Sequence, residues 1–94
     1  MYELLLRMQN VYFPSVLPEC YLPRITLVNN SNKSVIYNLT FDDGNLFNIK
    51  LSIDNTNLKI EILDGMMSVE LVDRVYLIKK ILIDKSDEVL SYLF

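Results

Sequence analysis

Between positions 35 and 63 apolar and polar residues alternate, and this alternation constrains the chain more than any other feature. Successive side chains of a β-strand point to opposite faces, so a period of two predicts half-buried strands. Short polar segments at 42–45 and 54–57 interrupt the pattern. We therefore predict an antiparallel β-meander with one apolar and one polar face. Its four predicted strands are 24–28, 35–41, 46–53 and 58–63.

The apolar period lengthens to 3.6 residues over 68–83, which predicts a long helix with Ser68 as its N-cap. A second N-cap pattern predicts a short final helix over 86–93. Apolar residues spread around most of the long helix, so we predict that it is buried on two sides. The sheet covers one side, and the N-terminal segment, the final helix or another chain covers the other. The central apolar stripe consists of Leu71, Val75, Ile78 and Leu82.

The sequence predicts the structure of the N-terminal quarter of the chain less clearly. Residues 2–9 fit both a helix and an additional strand, and their residue types favour a helix. All three prolines lie within 14–23, which predicts an extended connector that packs against the body. The whole chain, 1–94, is predicted to be a single domain of the α+β class, since 94 residues are enough for one core.

Side chains that commonly perform catalysis are scarce. The chain has no histidine, and this excludes Ser-His-Asp and Cys-His arrangements and removes the commonest metal ligand. Cys20 is the only cysteine, and we interpret it as a buried, inert thiol. The two glycines lie far apart, so no glycine-rich phosphate loop is present. We expect no enzymatic activity, no cofactor and no metal site.

The carboxylates are the only arrangement that suggests a site. In the predicted meander, Asp42, Asp43 and Asp64 lie at the same end of the sheet, and Asp54 lies at the opposite end. They could bind a hard cation, but the spacing matches no calcium loop. They could act as an acid–base pair, but a chain of this size scarcely provides a substrate cleft. They could form turns, which Asp does through hydrogen bonds to the backbone. Among functional roles, we favour an acidic contact patch.

Three further residues are candidates for partner binding. Glu61 lies on the predicted polar face of the sheet. Tyr76 and Tyr92 lie on helices with more apolar residues than one buried face requires, and tyrosine is enriched at interface hot spots. Core packing explains the two tyrosines equally well.

The net charge of −3 and the isoelectric point of about 4.7 disfavour binding to nucleic acids or to acidic membranes. They suit a basic protein partner. We therefore expect an inhibitor, immunity protein or antitoxin that occludes the active site of a nuclease-type toxin. The alternative is a structural domain that forms a homodimer. Full mimicry of DNA is disfavoured, because nine basic residues offset the 12 acidic ones. A single cysteine fits a reducing compartment, so we expect a cytoplasmic protein.

Overall fold

Four antiparallel strands in chain order form the sheet, as the alternation predicts. The computed structural model describes residues 1–65 and 69–94, without the side chains at 64 and 65. Each strand pairs with the next in the order β1-β2-β3-β4. The strands are β1 (Arg24–Ser31), β2 (Ser34–Thr40), β3 (Leu46–Asp54) and β4 (Asn57–Gly65). The predicted meander and the α+β class are confirmed.

Strand β1 is longer than the predicted 24–28, since it continues to Ser31. Its extra residues pair with the start of β2, so the connection shrinks to two residues, of which Lys33 has a φ of 61°. Asn55 takes the left-handed conformation in the β3–β4 turn, with a φ of 60°. A short polar side chain tolerates this region better than most, which explains the tight connection.

Both outer strands of the sheet contain one residue more than their partner strand can pair. In β1, Leu27 pairs with Tyr37 and Asn29 with Ile36, so Val28 is the extra residue. In β4, Ile62 pairs with Ile49 and Asp64 with Asn48, so Leu63 is extra. Both are β-bulges, which bend a strand and increase its local twist.

The ambiguous segment 2–9 is helical. It forms α1 (Tyr2–Arg7), which continues as a π-helical turn over Met8–Tyr12. The proline-rich connector is not extended throughout as predicted, because it contains a 3-10 turn, Glu19–Tyr21. Cys20 in this turn is exposed, so the prediction of a buried thiol is wrong. The two C-terminal helices are α2 (Val69–Asp84) and α3 (Ser86–Leu93), close to their predicted bounds. The predicted N-cap Ser68 lies outside the described residues.

The apolar face of the sheet and the helices share one core. Tyr37, Leu39, Ile49 and Leu51 are at most 1% exposed and belong to the same cluster as residues of all three helices. The Tyr37 hydroxyl donates a hydrogen bond of 2.8 Å to the Met1 carbonyl oxygen, which holds the start of α1 against the sheet. The other face of the sheet stays open and polar. No helix within residues 1–65 and 69–94 is long and apolar enough to span a membrane.

Candidate functional site

The strand register brings the predicted aspartates to one end of the sheet. Thr40 pairs with Leu46, so Asp42 and Asp43 lie in the β2–β3 turn. Asp64 pairs with Asn48 near the same end, although its side chain lies outside the described residues. Asp54 pairs with Asn57 at the opposite end, as the meander predicts. Hereafter "the acidic end" means Asp42, Asp43, the backbone position of Asp64, and Glu70 at the start of α2.

Asp43 shapes the turn in which it lies. Its Oδ1 accepts a hydrogen bond of 3.1 Å from the backbone amide of Asn45, and its Oδ2 accepts one of 3.0 Å from the Asn45 side chain. Gly44 between them has a φ of 90°, which a residue with a Cβ rarely adopts. This is the turn-forming role that aspartate residues take in tight turns.

Asp43 also forms the shortest ion pair in the described part of the chain. Arg74 of α2 donates a hydrogen bond of 2.6 Å from Nη2 to Asp43 Oδ2. The guanidinium lies 4.9 Å from the ring centroids of both Tyr21 and Phe41. Arg74 is only 6% exposed. Cation–π contacts and a charge-assisted hydrogen bond therefore stabilise a charge that is costly to bury.

The pair shifts the pKa of both partners. The hydrogen bond from Arg74, followed by the one from the Asn45 backbone, holds the pKa of Asp43 far below its usual range. The same hydrogen bond raises the pKa of Arg74, against the opposing effect of burial. Asp43 is thus a carboxylate at every physiological pH, and most of its charge is offset by Arg74. Within the described residues, Nε and Nη1 of Arg74 are buried without a hydrogen-bond acceptor.

Asp42 and Glu70 are exposed carboxylates of the acidic end that lie outside this ion pair. Asp42 precedes the paired Asp43 and is exposed to solvent. Glu70 is exposed one helical turn before Arg74 and is close enough to contribute to the raised pKa of that arginine. The ion pair of Asp43 with Arg74 fixes the turn to the helix, and so it also fixes the exposed acids that flank it.

Glu61 is placed differently. It lies on the open face of the sheet, where its Oε1 is 3.7 Å from Lys59 Nζ. Its cross-strand neighbour is Lys50. Two cations therefore offset its charge, and it does not extend the acidic end. Its predicted binding role stays a prediction.

The two candidate tyrosines differ in exposure. Tyr76 is 66% exposed on α2, so burial in this chain does not explain it. Tyr92 is partly buried and packs against the core, as the packing interpretation expects. Within a single chain α2 is buried on one side only, so the N-terminal segment and α3 do not cover its second side. Cover of that side by another chain stays a prediction. One face of α2 packs on the core, and Val69, Val72, Tyr76 and Ile83 are exposed on the other.

The sequence interpretation missed Arg74, Tyr21 and Glu70 as parts of this site. One signal could have identified Arg74: it lies three residues after Leu71 and four before Ile78, a spacing that places it on the same side of the helix as these two. Nothing local to 19–21 could have placed the Tyr21 ring on that arginine, because the contact depends on the tertiary path of the proline-rich connector.

A second polar cluster joins the N-terminal and C-terminal segments of the chain. The Tyr12 hydroxyl donates a hydrogen bond of 2.5 Å to Glu88 Oε2, and Arg7 Nε lies 3.9 Å from the same oxygen. Burial, with the Glu88 acceptor second, raises the pKa of Tyr12 to about 12. The hydrogen bond from Tyr12 lowers the pKa of Glu88. The cluster links the N-terminal helical segment to α3, and we interpret it as a contact that stabilises the fold.

Comparison with known proteins adds no relative from which a role could be transferred. No protein-family model matches the chain, and no curated protein and no solved structure matches it. Across residues 1–65 and 69–94, no group of three or more acidic, cysteine or histidine side chains is arranged to hold a metal ion. The acidic end and the exposed face of α2 are therefore the two surfaces from which a function is inferred.

Proposed function

We propose that this chain is a small protein-binding module that neutralises a basic protein through its acidic end. The concrete version is an immunity protein or antitoxin that acts in the cytoplasm against a nuclease-type toxin. The observation that carries the proposal is the pair of exposed carboxylates, Asp42 and Glu70, next to the ion pair of the buried Arg74 with Asp43, whose side chain is 41% exposed.

Rigidity supports this role. The β2–β3 turn would be free to move if only its own backbone held it. The side chain of Asp43 instead bonds both to the turn residue Asn45 and to Arg74, which lies 31 positions away on α2. Groups that are held in place before binding lose less conformational entropy when a partner arrives. The acidic end is thus suited to present its charges in a fixed geometry.

Charge supports the class of partner. A nuclease binds the phosphates of its substrate with basic side chains, and phosphates supply much of the binding free energy. Carboxylates placed on that basic cleft occupy the positions of phosphates and exclude the substrate. Opposite charge also accelerates the encounter and disfavours acidic competitors. Affinity for such a partner is expected to fall as the salt concentration rises, because exposed charges are screened.

Charge reversal of Asp42 tests the proposal, and Asp54→Lys is its matched control. Both residues are exposed aspartates in sheet turns, but they lie at opposite ends of the sheet. Asp42 is a cleaner probe than Asp43, whose substitution would also disturb the turn. The tagged wild-type chain, D42K and D54K are used for affinity purification from the cells that naturally express the gene. Wild type and D54K should retain a basic protein that D42K releases.

The retained protein should hydrolyse RNA or DNA, and stoichiometric addition of the wild-type chain should suppress that hydrolysis. Glu70→Gln should weaken binding in the same direction as D42K. The proposal fails if all three chains retain the same proteins, or if the chain leaves the nuclease activity of the retained protein unchanged.

A further inference from the structure

Helix α2 has two opposite apolar faces, and only one of them is covered. Leu71, Ile78 and Leu82 are completely buried on the inner face. On the outer face the apolar side chains are between 47% and 82% exposed, and they recur at spacings of three, four and seven residues. At 3.6 residues per turn these spacings place them on one side of the helix. This outer face consists of Val69, Val72, Tyr76 and Ile83, with Asp73, Lys79 and Lys80 among them.

Charges on the outer face are distributed unevenly along the helix. Asp73 lies in its N-terminal half, and Lys79 and Lys80 lie in its C-terminal half. Asp73 and Lys79 are equally far from Tyr76 in opposite directions, and so are Val69 and Ile83. A second copy of α2 packed antiparallel, with a two-fold axis at Tyr76, therefore sets each Asp73 against the other copy's Lys79. It also sets Val69 against Ile83 of the other copy. A parallel arrangement sets like charges against each other.

We propose that the outer face of α2 binds a second copy of this chain, with the two helices antiparallel and Tyr76 at the two-fold axis. The contact is isologous, so each copy contributes the same residues and the assembly closes at two. A depression of about 340 Å³, lined by Tyr76, Lys79, Lys80 and Ile83, lies on this face between the axis and the C-terminal end of α2. This proposal does not depend on the proposed function. It pairs Asp73 with Lys79 on the outer face of α2, whereas the proposed function uses the carboxylates of the acidic end.

One helix per copy makes a small interface, so a dissociation constant in the micromolar range or weaker is expected. Sedimentation velocity from about 1 µM to about 500 µM covers that range. Wild type should change from monomer to dimer across the series. Tyr76→Glu should weaken the dimer by about tenfold or more, since it places two like charges at the axis. Tyr2→Glu is the matched control, because Tyr2 on α1 is 65% exposed and Tyr76 is 66% exposed.

A charge swap tests the orientation of the helices. Asp73→Lys and Lys79→Glu should each weaken the dimer, because each sets like charges against each other. The double variant D73K/K79E should recover most of the lost affinity, since it restores opposite charges in the antiparallel arrangement. The two substituted positions are exposed (Asp73) and half-exposed (Lys79), so circular dichroism should report an unchanged fold for all three variants.

Disulfide trapping gives a second measure of the arrangement. In a Cys20→Ser background, Tyr76→Cys should cross-link two copies under mild oxidation, because the two sites meet at the axis. Val69→Cys alone should not cross-link, whereas V69C/I83C should.

The proposal is overturned if wild type stays monomeric across the series, or if Y2E weakens the dimer as much as Y76E. Cross-linking of V69C alone would also overturn it, since that requires parallel helices. None of these results bears on the D42K comparison.

Discussion

Each face of α2 departs from the rule that apolar side chains are buried and charged ones are exposed. The inner face buries a guanidinium, and the outer face exposes Val69 and Tyr76 to solvent. Arg74 is tolerated inside because its guanidinium lies over the rings of Tyr21 and Phe41 and donates a hydrogen bond to Asp43. The difference teaches that burial in this chain follows the available contacts and not the polarity of the residue alone.

Ile78→Ala should produce the largest effect on stability and sharpen the contrast between the faces. Ile78 is completely buried on the inner face, so removing three carbons leaves a cavity. We expect the free energy of unfolding to fall by about 2–5 kcal/mol. Urea unfolding followed by circular dichroism measures this change. A loss well under 1 kcal/mol would mean that the inner face is not packed as described.

Arg74→Ala should have the next largest effect, with a loss of about 2 kcal/mol from the ion pair and from packing of the aliphatic stem. Arg74→Met should recover at least half of that loss. It keeps the contacts with the two rings, and apolar replacement of a buried ion is often neutral. Two donors of Arg74 are already buried without an acceptor among the described residues, which favours the same result. Urea unfolding of both variants at neutral pH measures the difference.

Asp43→Asn should have an effect that depends on pH. The pKa of Asp43 is lowered in the folded chain, so the carboxylate stabilises the fold above its unfolded pKa. That contribution is lost as the pH falls through the lower folded value. Wild type should therefore be more stable than D43N at neutral pH, and the gap should narrow below about pH 4. Thermal unfolding of both chains over a pH series measures the gap, and a constant gap would contradict the assignment.

Ile83→Ala should have the smallest effect and is the direct control for I78A. Ile83 carries the same side chain but is 58% exposed on the outer face. We expect a change in stability within about 0.5 kcal/mol for the monomer. The measurement is made at low protein concentration, so that self-association does not contribute. If I83A loses as much stability as I78A, the two faces of α2 are equally covered and the comparison fails.

Local pattern was sufficient for most of the fold. Alternation depends only on neighbouring residues, so it predicted β2, β3 and β4, and the strand-forming residues of 24–28 predicted β1. Helical periodicity predicted α2, and an N-cap pattern predicted α3. The extension of β1 to Ser31 was missed because polar residues such as Asn29 and Asn30 have low strand propensity. Pairing with the start of β2 outweighs that propensity, and this information is not local.

The site was predictable only in part. The meander placed Asp42 and Asp43 at one end of the sheet, because strand order fixes which turns share an end. The partner of Asp43 was not predictable, since Arg74 is 31 residues away and the packing angle of α2 decides the contact. The apolar stripe of Leu71, Val75, Ile78 and Leu82 did identify the face of α2 that packs on the core, since all four residues are buried. The pattern did not show that the opposite face, which includes Ile83, stays exposed, because that depends on the tertiary arrangement.

The bulges at Val28 and Leu63 affect how readily copies of this chain aggregate at high protein concentration. A regular outer strand offers a row of free amide and carbonyl groups to which another molecule can add a strand, and repetition of that step builds a fibre. One surplus residue in each outer strand breaks the regular spacing of those groups at both margins of the sheet. Open-ended growth through the sheet is therefore disfavoured on both sides.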